Sequence, residues 1–323
     1  MNSSERAVAE VAVVIPCYRV KRHVLDVISR IGGEVSRIYC VDDACPEGSG
    51  RHVQAMNSDP RVRVLFHEAN QGVGGAMITG YRQALADGAG IVVKVDGDGQ
   101  MDPALIPSLI CPIVEGRADY CKGNRFFLLE GLGAMPISRL VGNAGLSFMS
   151  KLSTGYWNLF DPCNGYTAIH AKVLSLLPLE KISRGYLFET DMLFRLGVVG
   201  AVVAERPMHA VYGDEESNLR ISRVFGPFLW GHGRNFGKRI FYRYFLRGFS
   251  VASLELVLGL LLIVWGGGFG VAKWMQADAL GIPATCGTVF LAALPIIVGM
   301  EMLLTFLGFD MSHVPRDPLH LQL

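Results

Sequence analysis

Short runs of branched apolar residues alternate with glycine-containing polar turns through the first two fifths of the chain. Runs of this length, bounded by turn residues, predict buried strands, and the longer segments between them predict helices. Strand and helix therefore alternate, which predicts an α/β fold with a mostly parallel sheet and a ligand crevice beyond the carboxyl ends of its strands. The predicted strands are Val11–Cys17, Ser36–Val41, Arg61–His67, Gly90–Val95 and Ala118–Asn124, and the predicted helices are Val20–Ile31, a stretch from the glycine-rich bend at 69–76 to Asp87, and Arg139–Ser153.

The fourth predicted strand opens into Asp96-Gly97-Asp98-Gly99-Gln100. Two carboxylates and an amide offer the hard oxygen ligands that Mg²⁺ or Mn²⁺ takes, and glycines let the backbone approach a diphosphate. The alternative is an acidic turn at the surface, since Asp-Gly pairs are common in turns.

Two other motifs are excluded by the residues at their required positions. An EF-hand loop starting at Asp96 needs glycine at its sixth position and an acid at its twelfth, where the chain has Met101 and Pro107. A dinucleotide fingerprint starting at Gly72 has Met77 where its third glycine belongs.

Polar residues also follow the other predicted strands. Tyr18 and Arg19 come after the first strand, and Asp42 and Asp43 end the second. Loops at one edge of a parallel sheet converge, so these groups and the Asp96 loop are expected to face one ligand.

Two long apolar stretches near the C-terminus, Phe249–Val271 and Thr285–Phe309, each exceed the roughly 20 residues needed to span a bilayer. They predict two transmembrane helices, with a pair of buried core helices as the alternative. Each contains one carboxylate, Glu255 or Glu301, and ionisable groups in lipid usually face a partner.

Basic residues precede the first span, whereas the predicted connecting loop at 273–283 has one lysine balanced by Asp278. This asymmetry predicts that both termini are cytoplasmic. Aromatic residues are interleaved with these cations over 228–248, which predicts an amphipathic helix at the lipid headgroups rather than a solvated linker. The cations are Arg234, Lys238, Arg239, Arg243 and Arg247.

Composition agrees with this division. The chain has 323 residues, is 50% hydrophobic, and has a formal net charge of +1 and a mean hydropathy of +0.33. A near-neutral charge gives no support to nucleic-acid binding. The seven cysteines form no Cys-x-x-Cys pair and are expected to be reduced thiols facing the cytosol. We predict a cytoplasmic domain over 1–227, the juxtamembrane segment over 228–248, and two spans with a cytoplasmic tail over 249–323.

Several motifs together resemble family 2 glycosyltransferases. The nucleotide-sugar half is similar at 14–19, 41–43, 70–76 and 96–100, and the motifs at 123–126, 161–166, 185–191 and 213–219 resemble the branch of dolichyl-phosphate mannose synthase and bacterial polyprenyl-phosphate glycosyltransferases. The resemblance covers roughly residues 10 to 225. It implies a GT-A domain, anchored in the cytoplasmic membrane by more than one span, that transfers a hexose with inversion from a nucleotide-diphosphate sugar to a polyprenyl phosphate.

The resemblance also implies roles for individual residues. Mg²⁺ or Mn²⁺ would lie on Asp96, Asp98 and Gln100, and Arg125 and Arg139 would bind the acceptor phosphate. Glu189 and Asp191 would bind the donor sugar or orient the acceptor, and 213–219 would form a mobile loop over the site. Asp161 and Asn164 are expected to follow a strand. A surface role for Arg139 and a simple turn at Asp161 and Asn164 are the alternatives. The donor would contact Pro16, Tyr18, Asp42, Asp43, Gly72, Gly74, Asp96 and Gln100.

The chain departs from the family pattern at Arg19 and Val20, where Asn and Glu are more usual, and at Cys163, where Ser or Thr is usual. The nucleotide therefore stays open between uridine and guanosine, and the sugar between glucose and mannose. A polysaccharide synthase would share the donor half but carries a Gln-x-x-Arg-Trp motif absent here. A non-catalytic membrane scaffold is the other alternative. The Gly266–Gly268 patch permits close helix packing and hence a homo-oligomer.

Overall fold

The computed structural model describes residues 10–127, 137–208 and 221–323. The chain divides into two compact units, Met1–Phe236 together with Pro315–Leu323, and Gly237–Val314.

A seven-stranded sheet forms the centre of the first unit, in the order β3-β2-β1-β4-β6-β5-β7 over the described residues. The strands are β1 Val11–Cys17, β2 Val35–Asp42, β3 Val62–Phe66, β4 Ile91–Lys94, β5 Tyr120–Asn124, β6 Thr167–His170 and β7 Val203–Pro207. The helices of this part of the chain are α1 Val24–Ser29, α2 Ser49–Met56, α3 Val73–Ala86, α4 Ile106–Val114, α5 Ile137–Thr154, α6 Ala171–Leu176, α7 Phe188–Val199 and α8 Ile221–Ile240.

The predicted α/β fold with a mostly parallel sheet is confirmed. The strands pair in parallel except for β6, which runs antiparallel to both β4 and β5. Asp161 and Asn164 were expected to follow a strand, and this is wrong because they precede β6. Since β6 is reversed, its beginning lies at the same edge of the sheet as the carboxyl ends of the parallel strands.

Apolar side chains cover one face of the sheet. Val13, Val93 and Ala168 of β1, β4 and β6 are fully buried there against side chains of α1, α2 and α4. Each valine removed from water in this way stabilises the fold by about 1.5–3 kcal/mol. The opposite face packs against α3, which comes so close that a Cβ at Gly80 would overlap Val14.

The first predicted helix begins later than expected. Arg19 has a φ of 60°, and its backbone N–H donates to Cys45 Sγ at 3.1 Å. Residues after β1 therefore form a turn held by the β2–α2 loop, and α1 starts only at Val24.

The C-terminal segment Pro315–Leu323 belongs to the first unit. The backbone N–H groups of Leu319 and His320 donate to the buried Asp119 carboxylate, each at 2.8 Å. The His320 ring stacks on His170 with 4.3 Å between centroids. The chain thus leaves this unit after Phe236 and returns to it at Pro315.

Two long apolar helices, α9 Val251–Leu280 and α10 Cys286–Ser312, make up most of the second unit. Their length and composition are sufficient to cross a membrane. The predicted loop at 273–283 is wrong, because α9 continues through Lys273 and Asp278. Gly259 and Gly299 face each other across the two helices, where a Cβ on either would lie 2.9 or 2.7 Å from the other's carbonyl oxygen.

A buried ion pair lies at one end of this helix pair. Arg239 donates to Asp310 through two nitrogens, at 2.6 and 2.9 Å, and the Tyr244 hydroxyl donates to the same carboxylate at 2.6 Å. Both charged side chains are 2% exposed or less. Arg239, counted from the sequence among the surface cations, is therefore an internal structural residue.

Candidate active site

The end of β4 brings three charged side chains together. Lys94 Nζ lies 2.8 Å from Asp96 Oδ1 and 3.3 Å from Glu189 Oε1, which comes from the first turn of α7. Lys94 is almost completely buried, whereas 29% of the Asp96 side chain and 17% of the Glu189 side chain are exposed. Burial acts to lower the pKa of Lys94, but the Asp96 and Glu189 carboxylates outweigh it and raise that pKa. The two carboxylates thus stabilise the charged form of Lys94 beneath the crevice.

The Asp96–Gln100 turn is stabilised by a hydrogen bond within it and by the backbone conformation of one glycine. The Gln100 N–H donates to Asp98 Oδ1 at 3.0 Å, and Gly99 has a φ of 81°, which glycine adopts readily. Asp98 and Gln100 are both half-buried. No group of three His, Cys, Asp or Glu side chains arranged for a metal is present in the described ranges. Mg²⁺ usually takes one or two carboxylates together with substrate phosphates, and Asp96, Asp98 and Gln100 fit that ligand set.

Asp42 and Asp43 both hold loops. Asp42 accepts hydrogen bonds from the N–H groups of Cys45 and Gly50, at 2.8 and 2.5 Å. Asp43 accepts from the N–H groups of Gln71 and Gly72, each at 2.8 Å. Both carboxylates are at most 4% exposed. The two carboxylates therefore stabilise the β2–α2 loop and the glycine-rich bend around the crevice.

A cleft of about 640 Å³ lies beside these loops, at the carboxyl ends of β2 and β3. This volume is in the range of small-molecule sites. Pro16, half-buried in β1, and Tyr18, 42% exposed just beyond it, are the predicted donor contacts of the neighbouring strand. The cleft is lined by Asp42, Ala44, Cys45, Pro46, Gly48, Arg51, Gln54, Phe66, His67 and Glu68.

The glycine-rich bend packs against the loop that precedes α7. The Gly74 N–H donates to the Arg184 carbonyl at 2.9 Å, and a Cβ at Gly72 would lie 2.5 Å from that same oxygen. Gly72 also has a φ of 81°. Both glycines are thus needed for backbone packing, whatever they contact in a bound donor.

Arg125 follows β5 at the same edge. Its Nε and Nη2 donate to the two oxygens of Asp161 at 2.8 and 3.0 Å, in a bidentate ion pair. The Arg125 side chain is 36% exposed, while Asp161 is buried. The side chain of Arg139 and the whole of 213–219 lie outside the described residues.

Asp191 does not face the crevice. Its carboxylate is completely buried and accepts hydrogen bonds from the Ser183 N–H, from Arg195, and from Asn235 Nδ2 of α8. The structure therefore separates the two predicted acids of α7. Glu189 reaches the β4 site, and Asp191 joins α7 to α8.

Sequence reasoning missed two lysines and one glycine of this site. Lys94 and Lys122 stand inside otherwise buried strands, and a charged residue in such a run was the available signal. Gly165 has no side chain because a Cβ there would overlap Lys94 Nζ and lie 3.1 Å from Asp96 Oδ2. These three residues determine how charge is arranged in the floor of the crevice.

The cleft at the ends of β2 and β3 and the paired-aspartate turn after β4 lie at one edge of a mostly parallel sheet. The family model and the relatives that match this chain are glycosyltransferases, and the protein is therefore a glycosyltransferase. The model of the family described as "Glycosyl transferase family 2" matches residues 12–177, which is half of the chain. The chain therefore belongs to glycosyl transferase family 2.

Relatives act on polyprenyl phosphates, as their names state. The chain is 32% identical over 220 residues to an undecaprenyl-phosphate mannosyltransferase of Micrococcus luteus, covering 67% of this chain and 88% of that one. It is 28% identical over 244 residues to a UDP-N-acetylglucosamine–dolichyl-phosphate N-acetylglucosaminyltransferase of Methanococcus voltae, covering 71% and 92%. The expected resemblance to this branch is confirmed.

Solved structures confirm the fold. Glucosyl-3-phosphoglycerate synthase of Mycobacterium tuberculosis, crystallised with Mn²⁺, uridine diphosphate and phosphoglyceric acid, superposes with a TM-score of 0.52 at 19% identity, covering 72% of this chain and 78% of that one. At this identity the likeness establishes the GT-A-like architecture alone.

Proposed function

We propose that this protein transfers a hexose from a nucleoside-diphosphate sugar to a polyprenyl phosphate, in a metal-dependent reaction that inverts the anomeric carbon. An oxygen of the acceptor phosphate forms the new bond to that carbon while the bond to the donor's diphosphate breaks. The nucleoside diphosphate leaves with the bonding electron pair. One displacement of this kind inverts the configuration.

The observation that carries the proposal is the engagement of both predicted acids of α7. Asp191 is buried and hydrogen-bonded, and Glu189 is ion-paired with Lys94. An alcohol acceptor needs a general base to take its proton, whereas a phosphate is already ionised at neutral pH. The arrangement thus suits a phosphate acceptor, as the names of the relatives also suggest.

Charge is the main obstacle to this reaction. Two unit anions about 6 Å apart repel by roughly 3 kcal/mol at an effective dielectric near 20. A divalent cation on Asp96, Asp98 and Gln100 would act as a Lewis acid that stabilises the leaving diphosphate. On the acceptor side, the guanidinium of Arg125 is held in one orientation by Asp161, and its fixed positive charge would offset the incoming phosphate.

The donor is proposed to lie across the carboxyl edge of the sheet. Its nucleoside would occupy the cleft at β2 and β3, where Arg51, Gln54 and Glu68 offer polar groups. Its diphosphate would then reach the Asp96 turn after β4. Either a uracil or a guanine base is compatible with such groups.

The acceptor is proposed to come from the cytoplasmic leaflet of the membrane. The chain leaves the first unit after Phe236 and returns at Pro315, with two candidate spans between. An even number of spans puts both ends on one side, and the basic residues before α9 favour the cytoplasm. Trp230 is 75% exposed and Phe241 is 56% exposed, which suits a helix at the headgroups.

A transfer assay tests this function. Purified full-length protein in detergent would be incubated with radiolabelled UDP- and GDP-hexoses, a short-chain polyprenyl phosphate and Mn²⁺ or Mg²⁺, and label in the organic phase would be counted. The matched control acceptor is the same polyprenol without its phosphate. We expect transfer to the phosphate alone, abolished by EDTA.

Transfer to the unphosphorylated alcohol, or to a sugar hydroxyl in place of the lipid, would contradict the proposal. NMR coupling constants of the product determine whether the anomeric configuration is inverted. A donor that is bound but never consumed with any acceptor of the panel would instead favour the non-catalytic scaffold.

A further inference from the structure

Two buried lysines lie in the floor of the crevice, on the strands that flank β6. Lys94 of β4 is opposite Thr167 of β6, and Thr167 is in turn opposite Lys122 of β5. Residues directly opposite each other in a sheet point to the same face. Lys94 reaches Glu189 of α7 on that face, so Lys122 points toward the same side of the sheet.

The two lysines differ in their partners. Lys94 is paired with Asp96 and Glu189. Lys122 is 1% exposed, and the described residues provide its side-chain ammonium with neither a hydrogen bond nor an ion pair within 4 Å. The ionisable groups around it are Asp161, Cys163, Glu205 and Glu189.

Each nearby carboxylate is already engaged elsewhere. Asp161 forms its bidentate pair with Arg125, and Glu189 pairs with Lys94. Glu205 accepts hydrogen bonds from Asn124 Nδ2 and from the N–H groups of Phe160 and Asp161. The local acids therefore leave the Lys122 ammonium without a direct counterion.

An ammonium buried without a direct partner is costly, because water no longer solvates its charge. Burial lowers the pKa of Lys122, and the surrounding acids offset this only in part. A bound anion would supply the missing counter-charge. The position is thus suited to a ligand oxygen that carries negative charge.

We propose that Lys122 binds an oxygen of the acceptor phosphate. This inference rests on the proposed transfer to a lipid phosphate and adds a second cation on the acceptor side, next to Arg125. Lys122 lies within β5 and Arg125 directly follows that strand, three positions along the chain.

The strand order favours the acceptor over the donor as the source of that phosphate. The cleft proposed for the nucleoside lies at β2 and β3, the metal-binding turn follows β4, and Lys122 lies on β5, separated from β4 by β6. A donor extending from the cleft to the Asp96 turn would place its diphosphate near β4. The phosphate of a second substrate, attacking from beyond the sugar, would then be the one nearest β5.

The experiment compares three variants of the full-length protein: Lys122→Met, Lys122→Arg and the neighbouring Lys94→Met. Steady-state kinetics with a short-chain polyprenyl phosphate and the active nucleotide sugar would give KM for each substrate separately. A hydrogen bond to a charged group corresponds to about a tenfold to hundredfold effect. We expect Lys122→Met to raise the acceptor KM by that factor with little change in the donor KM, and Lys122→Arg to recover part of it.

Thermal unfolding provides the second readout. If Lys122 serves a ligand, Lys122→Met removes a buried charge that has no direct counterion, and the Tm of the substrate-free protein should stay equal or rise. Lys94→Met breaks two ion pairs and should lower the Tm. It should also raise the metal concentration required for activity.

Three results would overturn the inference: an unchanged acceptor KM in Lys122→Met, a donor KM that rises instead, or a fall in Tm like that of Lys94→Met. The activity of the wild-type protein distinguishes a failure of the Lys122 role from a failure of the proposed function. If it transfers no sugar to the lipid phosphate, the proposed function fails; if it does and Lys122→Met behaves like wild type, only the role of Lys122 fails.

Discussion

Lys94 Nζ lies 2.8 Å from Asp96 Oδ1, and Gly165 on the neighbouring loop leaves the space that this pair occupies. A methyl group at 165 would overlap the Lys94 ammonium and press on Asp96 Oδ2. Gly165→Ala is therefore expected to lower kcat at least about tenfold and to raise the metal concentration needed for half-maximal rate. Initial rates over a Mn²⁺ titration measure both.

The matched control for this change is Gly33→Ala, because a Cβ at Gly33 meets nothing within 4 Å. It should leave the rate and the metal requirement unchanged. Wild-type kinetics in Gly165→Ala would show that the position of Lys94 does not matter for turnover.

Asp98 is proposed to hold the metal, and its carboxylate also caps the Gln100 N–H at 3.0 Å. Asp98→Ala should abolish sugar transfer with the fold intact, because the residue is half-buried in a turn rather than in the core. Transfer of label into lipid measures the loss of activity, and far-UV circular dichroism measures whether the fold is intact. Full activity in this variant would count heavily against the metal site.

Arg125 and Asp161 form a bidentate pair of a half-exposed arginine and a buried aspartate. Arg125→Lys keeps the charge but loses the planar fork, so we expect an acceptor KM about tenfold higher with a small change in stability. Arg125→Ala should weaken the acceptor more than the donor, and should also destabilise the protein by leaving Asp161 without its cation. A larger effect on donor KM would reassign Arg125 to the donor side.

His232 of α8 should make stability depend on pH. Its ring lies 2.8 Å from Ser153 Oγ, and burial lowers its pKa from 6.5 to about 4. Between these values the unfolded chain binds a proton that the folded protein does not. The stability present above pH 6.5 is therefore lost as the pH falls toward 4, by up to about 3 kcal/mol.

Thermal unfolding of the detergent-solubilised protein at several pH values between 7 and 4 measures this loss. The His232→Gln variant keeps a polar group next to Ser153 but does not titrate, so its Tm should fall less over the same range. An identical pH dependence in the two proteins would assign the effect to other groups.

Arg239 and Asp310 are buried together at the end of the second unit. Removing one partner leaves an unpaired buried charge, and Asp310→Leu is expected to cost about 3–5 kcal/mol of stability. The double variant Arg239→Met with Asp310→Leu removes both charges and should recover most of that loss. Thermal unfolding of the wild type, both single variants and the double variant gives the coupling energy. A double variant no more stable than Asp310→Leu would rule out this explanation.

Local patterns were sufficient for much of the fold. The bounds of β1 agree with the prediction, and β2, β3, β4 and α3 agree within a few residues, because strand and helix periodicity and turn glycines are encoded in neighbouring positions. The two apolar helices were recognised from length alone, although α9 extends nine residues beyond its predicted end at Val271. The reversed direction of β6 was not predictable in this way, since hydrophobic patterning does not specify which way a strand runs.

The amino-acid sequence was enough to establish an α/β glycosyltransferase domain, its paired-aspartate turn and two apolar helices. Each of these features depends on residues that lie close together in the sequence. Pairings between distant residues were decided only by the folded chain. Lys94 meets Glu189 from 95 positions away, Asp119 receives His320 from 201 positions away, and Asp191 is turned from the crevice toward Asn235. The reason is physical: whether a charged side chain serves a ligand or the fold depends on which partner and how much water its three-dimensional surroundings supply.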